Sequence, residues 1–98
     1  MKFFDMIKQA KALQQKAGEV QEKLAGMQFL GNSGNGLVEI TLSGRGEMTH
    51  ITIHPDALHN ANALENLILD AYRRAYSDFQ STLGNEMSQI SQGFPGLN

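Results

Sequence analysis

The chain has 98 residues, enough for one domain, and its 8 Lys and Arg against 10 Asp and Glu give a net charge of −2. Cysteine is absent, which excludes disulfides, Cys-ligated zinc and thiol catalysis. No apolar run approaches the roughly 20 residues of a membrane span, and Lys2 and Asp5 interrupt the N-terminal apolar stretch, unlike in a signal peptide. These features predict one soluble, cytoplasmic domain over residues 1–98, and its bulk charge disfavours nucleic acid as a partner.

The charge is unevenly distributed along the chain. Residues 1–27 hold all five lysines against three acids, a net of +2, whereas residues 28–98 hold three arginines against seven acids, a net of −4. Because a charged partner responds to local potential as well as to net charge, the objection to nucleic acid weakens for the first quarter of the chain.

The first segment is predicted to be one helix from Asp5 to Met27, about 34 Å long. Its apolar residues alternate in spacings of three and four, as in a heptad seam: Phe3, Met6, Ala10, Leu13, Ala17, Val20, Leu24 and Met27. The lysines cluster on the other side: Lys8, Lys11, Lys16 and Lys23. A seam of this length exceeds what a small sheet covers, so it predicts contact with a second helix of this chain or of a partner.

A three-stranded antiparallel meander is predicted next. The strands are expected at Gln28–Leu30, Leu37–Ser43 and Glu47–Ile53, with a hairpin turn at Asn35-Gly36 and Pro55 closing the sheet. Two sets of alternating residues each predict one shared face: Val38, Ile40 and Leu42, and then Thr49, Ile51 and Ile53.

The last element is predicted to be a second long helix from about Ala63 to Ile90. Asn62 is the expected N-cap because Glu65 follows three residues later, as in a capping box. A short turn over residues 56–60 precedes this helix. The segment 91–98 contains two glycines and one proline and is predicted to be a flexible tail.

Catalytic and metal sites find little support. The glycine cluster of residues 31–36 leads into a strand and lacks the Gly-Lys-Ser/Thr of a phosphate loop. His50 and His54 would stand about 13 Å apart along a strand; His54 and His59 can approach across a turn near Asp56, but nothing else supports a metal there. No nucleophile motif is present. We therefore predict no enzyme, and neither a metal, a cofactor nor a small-molecule substrate.

The lysine side of the first helix has two interpretations that the residues alone leave open. It is either a binding surface or the ordinary solvated face of an amphipathic helix, in which Glu19 and Lys23 form an i,i+4 pair. A membrane surface is disfavoured because the seam contains small residues such as Ala10 and Ala17.

The doublet Arg73-Arg74 is similarly ambiguous. Asp70 and Asp78 lie four residues on either side of Arg74, at the spacing of helical ion pairs. These carboxylates are therefore expected to neutralise much of the positive charge of the doublet.

The order of these elements resembles the YbaB/EbfC family of bacterial nucleoid-associated proteins over essentially the whole chain. The stretches that carry the resemblance are Gly34–Leu42 (GNGLVEITL), Ile51–Leu58 with its Pro55, and the Gly93–Leu97 tail. The resemblance implies an α+β fold of a long helix, a three-stranded antiparallel sheet and a long helix. It also implies a homodimer whose sheets contribute to the core and whose helices project as arms.

The resemblance further implies binding to double-stranded DNA, largely sequence-tolerant, with a role in nucleoid organisation and gene regulation. Location in the cytoplasm, at the nucleoid, follows from that role. The projecting helix would carry the DNA-binding residues: Lys8, Lys11 and Lys16, together with Lys23 and Lys2. The alternative is a dimeric protein-interaction adaptor that does not bind DNA directly, in which the lysines serve solubility.

Overall fold

The computed structural model describes residues 2–92 and has the predicted α+β architecture. Its elements in chain order are α1 (Phe3–Ala25), β1 (Gln28–Ser33), β2 (Val38–Ser43), β3 (Met48–Ile53), a 3₁₀ turn (Pro55–His59) and α2 (Ala61–Gln92). The tail predicted from Ser91 is wrong for its first two residues, which continue α2, and its remainder lies outside the described residues.

The strands form one antiparallel sheet in the order β1-β2-β3. The predicted hairpin turn is confirmed, since Asn35 and Gly36 have φ of 56° and 92°, in the left-handed region that Asn and Gly tolerate. Because this turn is tight, the β1–β2 ladder extends to the pair Ser33 and Val38, three residues beyond the predicted end of β1.

The core lies between α2 and one face of the sheet. Val38, Ile40 and Leu42 are completely buried there, which confirms the predicted face of β2. Ala71 brings α2 close to β1, and a Cβ placed on Gly31 would lie 2.6 Å from the backbone nitrogen of Ala75. Small residues on both elements therefore let the helix backbone rest directly on the strand.

The third strand is largely exposed in the single chain. Its register places Ile51 beside Ile40 and Ile53 beside Val38, so these two residues share a face as predicted, yet Ile51 remains 42% exposed. The prediction is wrong for Thr49, because a register shift at Thr41 and Leu42 pairs Met48 rather than Thr49 with Leu42. The reason is geometric: α2 packs on β1 and β2, and a helix about 10 Å wide spans little more than two strands spaced about 4.8 Å apart. This face of β3 is therefore only partly covered in the single chain.

Helix α2 begins at Ala61, two residues before the predicted start. Asn60 is the N-cap, because its Oδ1 accepts a hydrogen bond from the Ala63 backbone nitrogen at 3.1 Å. The predicted cap, Asn62, is wrong since it lies inside the first turn. Asn60 directly follows the 3₁₀ turn and has an extended conformation, which is the backbone geometry that an N-cap requires.

Helix α1 packs on the core from Leu13 to its C-terminal end. Val20 and Leu24 are its buried residues, and Gly44 leaves room for the Leu24 backbone, which any Cβ at that position would strike. At the other end, Phe3 is 70% exposed. The first turns of α1 therefore extend away from the core, and the molecule measures 66 × 22 × 16 Å.

Candidate nucleic-acid interface

The five lysines of the first segment are all exposed, and α1 carries four of them: Lys8, Lys11, Lys16 and Lys23. At about 100° per residue, Lys8 and Lys11 lie within roughly 60° of each other, away from the buried Val20 and Leu24. Lys16 and Lys23 lie within roughly 20° of each other and border the side that packs on α2. The lysine side is thus two pairs, one facing outward and one beside α2.

The pair beside α2 is engaged by carboxylates. Lys16 Nζ lies 3.4 Å from Glu19 Oε2, and Lys23 Nζ lies 2.8 Å from Glu86 Oε1 of α2. The expected Glu19–Lys23 pair is therefore wrong. Glu86 lies on the facing helix, and its side chain is only 14% exposed. Water therefore screens the Lys23–Glu86 pair less than it screens the Lys16–Glu19 pair.

These residues line a groove between α1 and α2 of about 390 Å³, together with Val20, Gln89 and Ile90. Its charged lining is balanced, with Lys16 and Lys23 opposed by Glu19 and Glu86. A groove of balanced charge does not favour an anion such as phosphate.

The outward pair has no such partners. Among residues 2–92, no carboxylate lies within 4.0 Å of the ammonium groups of Lys2, Lys8 or Lys11. Lys8 and Lys11 stand on the part of α1 that extends from the core, and Lys2 precedes the helix in an extended conformation. These ammonium groups are the best placed to meet phosphates without first breaking an ion pair.

The same outward side carries an aromatic residue that the lysine pattern alone did not single out. Phe4 is 75% exposed and precedes Lys8 by four residues and Lys11 by seven. Spacings of four and seven residues place Phe4 on the lysine side of a helix, so the sequence itself indicates this arrangement. Glu86, by contrast, lies 63 residues from Lys23, so no local pattern indicates their contact.

The arginine doublet lies exposed on α2. Arg73 Nη1 stands 4.0 Å from Asp70 Oδ1, an i,i+3 pair on the solvated surface. Local pairing is thus present, although through Arg73 rather than through Arg74 as the spacing suggested. Such exposed pairs contribute about 0–1 kcal/mol to stability.

His54 serves local structure. His54 Nδ1 accepts a hydrogen bond from the Asp56 backbone nitrogen at 3.1 Å, which caps the 3₁₀ turn. Within the described range 2–92, no three His, Asp or Glu side chains converge as metal ligands. In the same range, neither long helix is apolar enough to cross a membrane.

Comparison with known proteins yields a consistent family. A sequence model of the YbaB/EbfC DNA-binding family matches residues 1–94. A nucleoid-associated protein of Gloeobacter violaceus is 35% identical, and the match covers 97% of this chain and 89% of the relative. Another, of Nostoc punctiforme, is 37% identical over 95% of this chain and 84% of its own length.

The fold also has a solved counterpart. The crystal structure of an uncharacterized protein from Helicobacter pylori superimposes with a TM-score of 0.86, covering 92% of this chain and 97% of the other. At 19% identity, this similarity concerns the fold alone.

Proposed function

The chain belongs to the YbaB/EbfC DNA-binding family, whose members are not enzymes, and on that premise we propose that it binds double-stranded DNA in the nucleoid as a homodimer. Its arms would be the projecting part of α1, and its role would be nucleoid organisation and gene regulation in the cytoplasm. The observation that carries this proposal is the outward pair Lys8 and Lys11, which is exposed and, within residues 2–92, has no carboxylate within ion-pair distance.

The DNA-binding residues form a graded set. Lys8 and Lys11 contact phosphates directly, and Lys2 extends the surface at the tip. Lys16 and Lys23 join only by leaving Glu19 and Glu86. Since ammonium–phosphate contacts position a protein without reading sequence, binding is largely sequence-tolerant.

A second copy of the chain would cover the apolar surfaces that one chain leaves open. Ile51 and Met48 are 42% and 47% exposed on β3, whose outer edge pairs with no other strand of the described residues. Phe3 and Met6 are exposed where the α1 seam leaves the core. An uncovered strand edge beside apolar side chains is a surface that proteins usually pair or protect.

A gel-shift titration at two salt concentrations tests DNA binding. If about five phosphates are neutralised, log K falls against log salt with a slope of roughly −4 to −5. The variant Lys8→Glu/Lys11→Glu/Lys16→Glu should lose most of this binding. Arg45→Glu/Arg73→Glu/Arg74→Glu is the matched control, since it changes the net charge equally but leaves α1 untouched.

The outcomes separate function from site. No salt-sensitive shift by the wild type, even at low salt, overturns the proposed DNA binding. Equal losses in both triple variants overturn the assignment to α1, because bulk charge then decides binding. Sedimentation equilibrium tests the dimer, and a stable monomer at micromolar concentration contradicts it. A dimer without any DNA shift supports the adaptor alternative, in which the exposed seam recruits another protein.

A further inference from the structure

Phe4 is not part of the hydrophobic core that residues 2–92 form. Its neighbours Phe3 and Met6 belong to the apolar seam, but Phe4 lies about 100° away from Phe3 around the helix, between the directions of Lys8 and Lys11. Its side chain is 75% exposed. A large apolar ring in the middle of a cationic surface is complementary to a ligand that is both apolar and anionic.

The ring is partly held in place. The centroids of Phe3 and Phe4 are 6.1 Å apart with an interplanar angle of 70°, an edge-to-face contact. Such a contact restricts the rotamers of Phe4, so less side-chain entropy is lost when the ring binds.

From this placement we propose that Phe4 is a wedge that enters a base step of duplex DNA from the minor groove and kinks it. The proposal rests on the proposed function, because Lys8 and Lys11 must bring the ring to the duplex. It goes beyond that function, since phosphate binding by lysines requires no distortion of the DNA. Apolar side chains inserted between base pairs unstack them and bend the duplex.

The spacing along α1 suits this arrangement. Lys8 lies about 6 Å and Lys11 about 10.5 Å from Phe4 along the helix axis. At about 3.4 Å per step, their ammonium groups fall roughly two and three phosphates away from the wedge. The minor groove, about 6 Å wide, does not admit a helix, but it admits one ring from the first turn while the lysines stay on its rim.

DNA accounts for Phe4 better than an apolar protein surface does. Lys8 and Lys11 lie on the same side of α1 as the ring, so a protein covering Phe4 would also approach their ammonium groups, which is costly without carboxylate partners. A duplex offers stacked bases for the ring and phosphates for the lysines. The site thereby continues the surface of Lys8 and Lys11.

The test uses the full chain and a duplex of about 30 base pairs that carries 2-aminopurine, a base whose fluorescence rises on unstacking, at several central positions. A second copy carries a donor and an acceptor dye at its ends to report bending. Wild type should raise the 2-aminopurine signal and shorten the end-to-end distance. Phe4→Ala should abolish both changes while keeping salt-sensitive binding, weakened about tenfold.

Two further variants sharpen the result. Phe4→Leu keeps an apolar wedge and should retain most of the kink. Leu58→Ala is the matched control, because it removes an exposed apolar side chain from the 3₁₀ turn, outside α1, and should leave both signals intact.

Each contrary result has its own meaning. Wild-type binding without unstacking or bending overturns the wedge and leaves the proposed DNA binding standing. Unchanged signals in Phe4→Ala overturn it as well. Conversion of Phe4→Ala to a monomer in sedimentation equilibrium would place the ring between copies and likewise overturn the wedge. Absence of any wild-type shift removes both proposals.

Discussion

Lys23 Nζ lies 2.8 Å from Glu86 Oε1, and this ion pair ties the last turn of α1 to α2 across 63 residues of sequence. Val20 and Ile90 line the same groove, so the pair sits at the border of an apolar contact between the helices. The charge of Lys23 is therefore neutralised by a carboxylate of the same chain. Lys8 and Lys11 therefore provide most of the outward positive charge of the projecting part of α1.

Releasing Lys23 should strengthen DNA binding. Glu86→Gln removes the carboxylate, so Lys23 becomes available to a phosphate and the salt slope should steepen by about 0.9 for each lysine that makes contact. Gel-shift titrations over salt measure the slope. Glu65→Gln is the matched control, since it removes one negative charge from an exposed part of α2; an identical change of slope in both variants would contradict the release of Lys23.

A methyl group at Gly31 should disturb the helix–sheet contact. Its Cβ would strike the Ala71 carbonyl and the Ala75 backbone, neither of which can rotate aside, so Gly31→Ala should cost about 3 kcal/mol in urea unfolding. Gly84→Ala is the control in α2. Nothing lies within 4 Å of the added Cβ, and removal of a helical glycine should stabilise by about 1 kcal/mol. Equal effects of the two variants would contradict the close approach.

The cap of α2 should depend on one asparagine of two. Asn60→Ala removes the acceptor for the Ala63 nitrogen and should lower the free energy of unfolding by about 1 kcal/mol. Asn62→Ala should change it by less than about 0.5 kcal/mol. Thermal unfolding distinguishes them, and a larger loss in Asn62→Ala would show that the helix starts later.

The exposed face of β3 should be sensitive to charge if it lies between copies. Ile51→Lys puts an ammonium group on that face and should raise the dimer dissociation constant at least about tenfold, because a buried unpaired charge is costly. Thr52→Lys introduces the same charge on the opposite side of the strand, next to Glu39 in the β2 register. Sedimentation equilibrium at several concentrations measures the dimer dissociation constant of both variants. An Ile51→Lys dimer with an unchanged dissociation constant would place the interface elsewhere.

The elements that the sequence predicts well are those whose signal is local. The alternation of β2 and the Asn35-Gly36 turn each depend on neighbours within a few residues, and both predictions are confirmed. Alternation also identifies the shared face of Ile51 and Ile53. It cannot say that α2 covers only the first two strands, because that depends on where the helix is laid across the sheet.

The candidate interface likewise combines features that have a local sequence signal with features that depend on how the helices pack. Helical spacing indicates that Lys8 and Lys11 share a side of α1, and the structure leaves both exposed. Which lysine is held by which carboxylate depends on how α1 and α2 cross, so Glu86 carries no sequence signal as the partner of Lys23. The choice between Asn60 and Asn62 similarly depends on where the preceding 3₁₀ turn ends.

The projection of α1 also has a hydrodynamic consequence. The Cα radius of gyration is 19.0 Å, whereas a compact chain of about 100 residues has roughly 13 Å. Such a rod experiences more friction than a sphere of equal mass, so even a single 10.8 kDa chain should elute ahead of globular standards of that mass. Rotation about the 66 Å axis should be faster than end-over-end tumbling, giving backbone amides along and across this axis different relaxation rates.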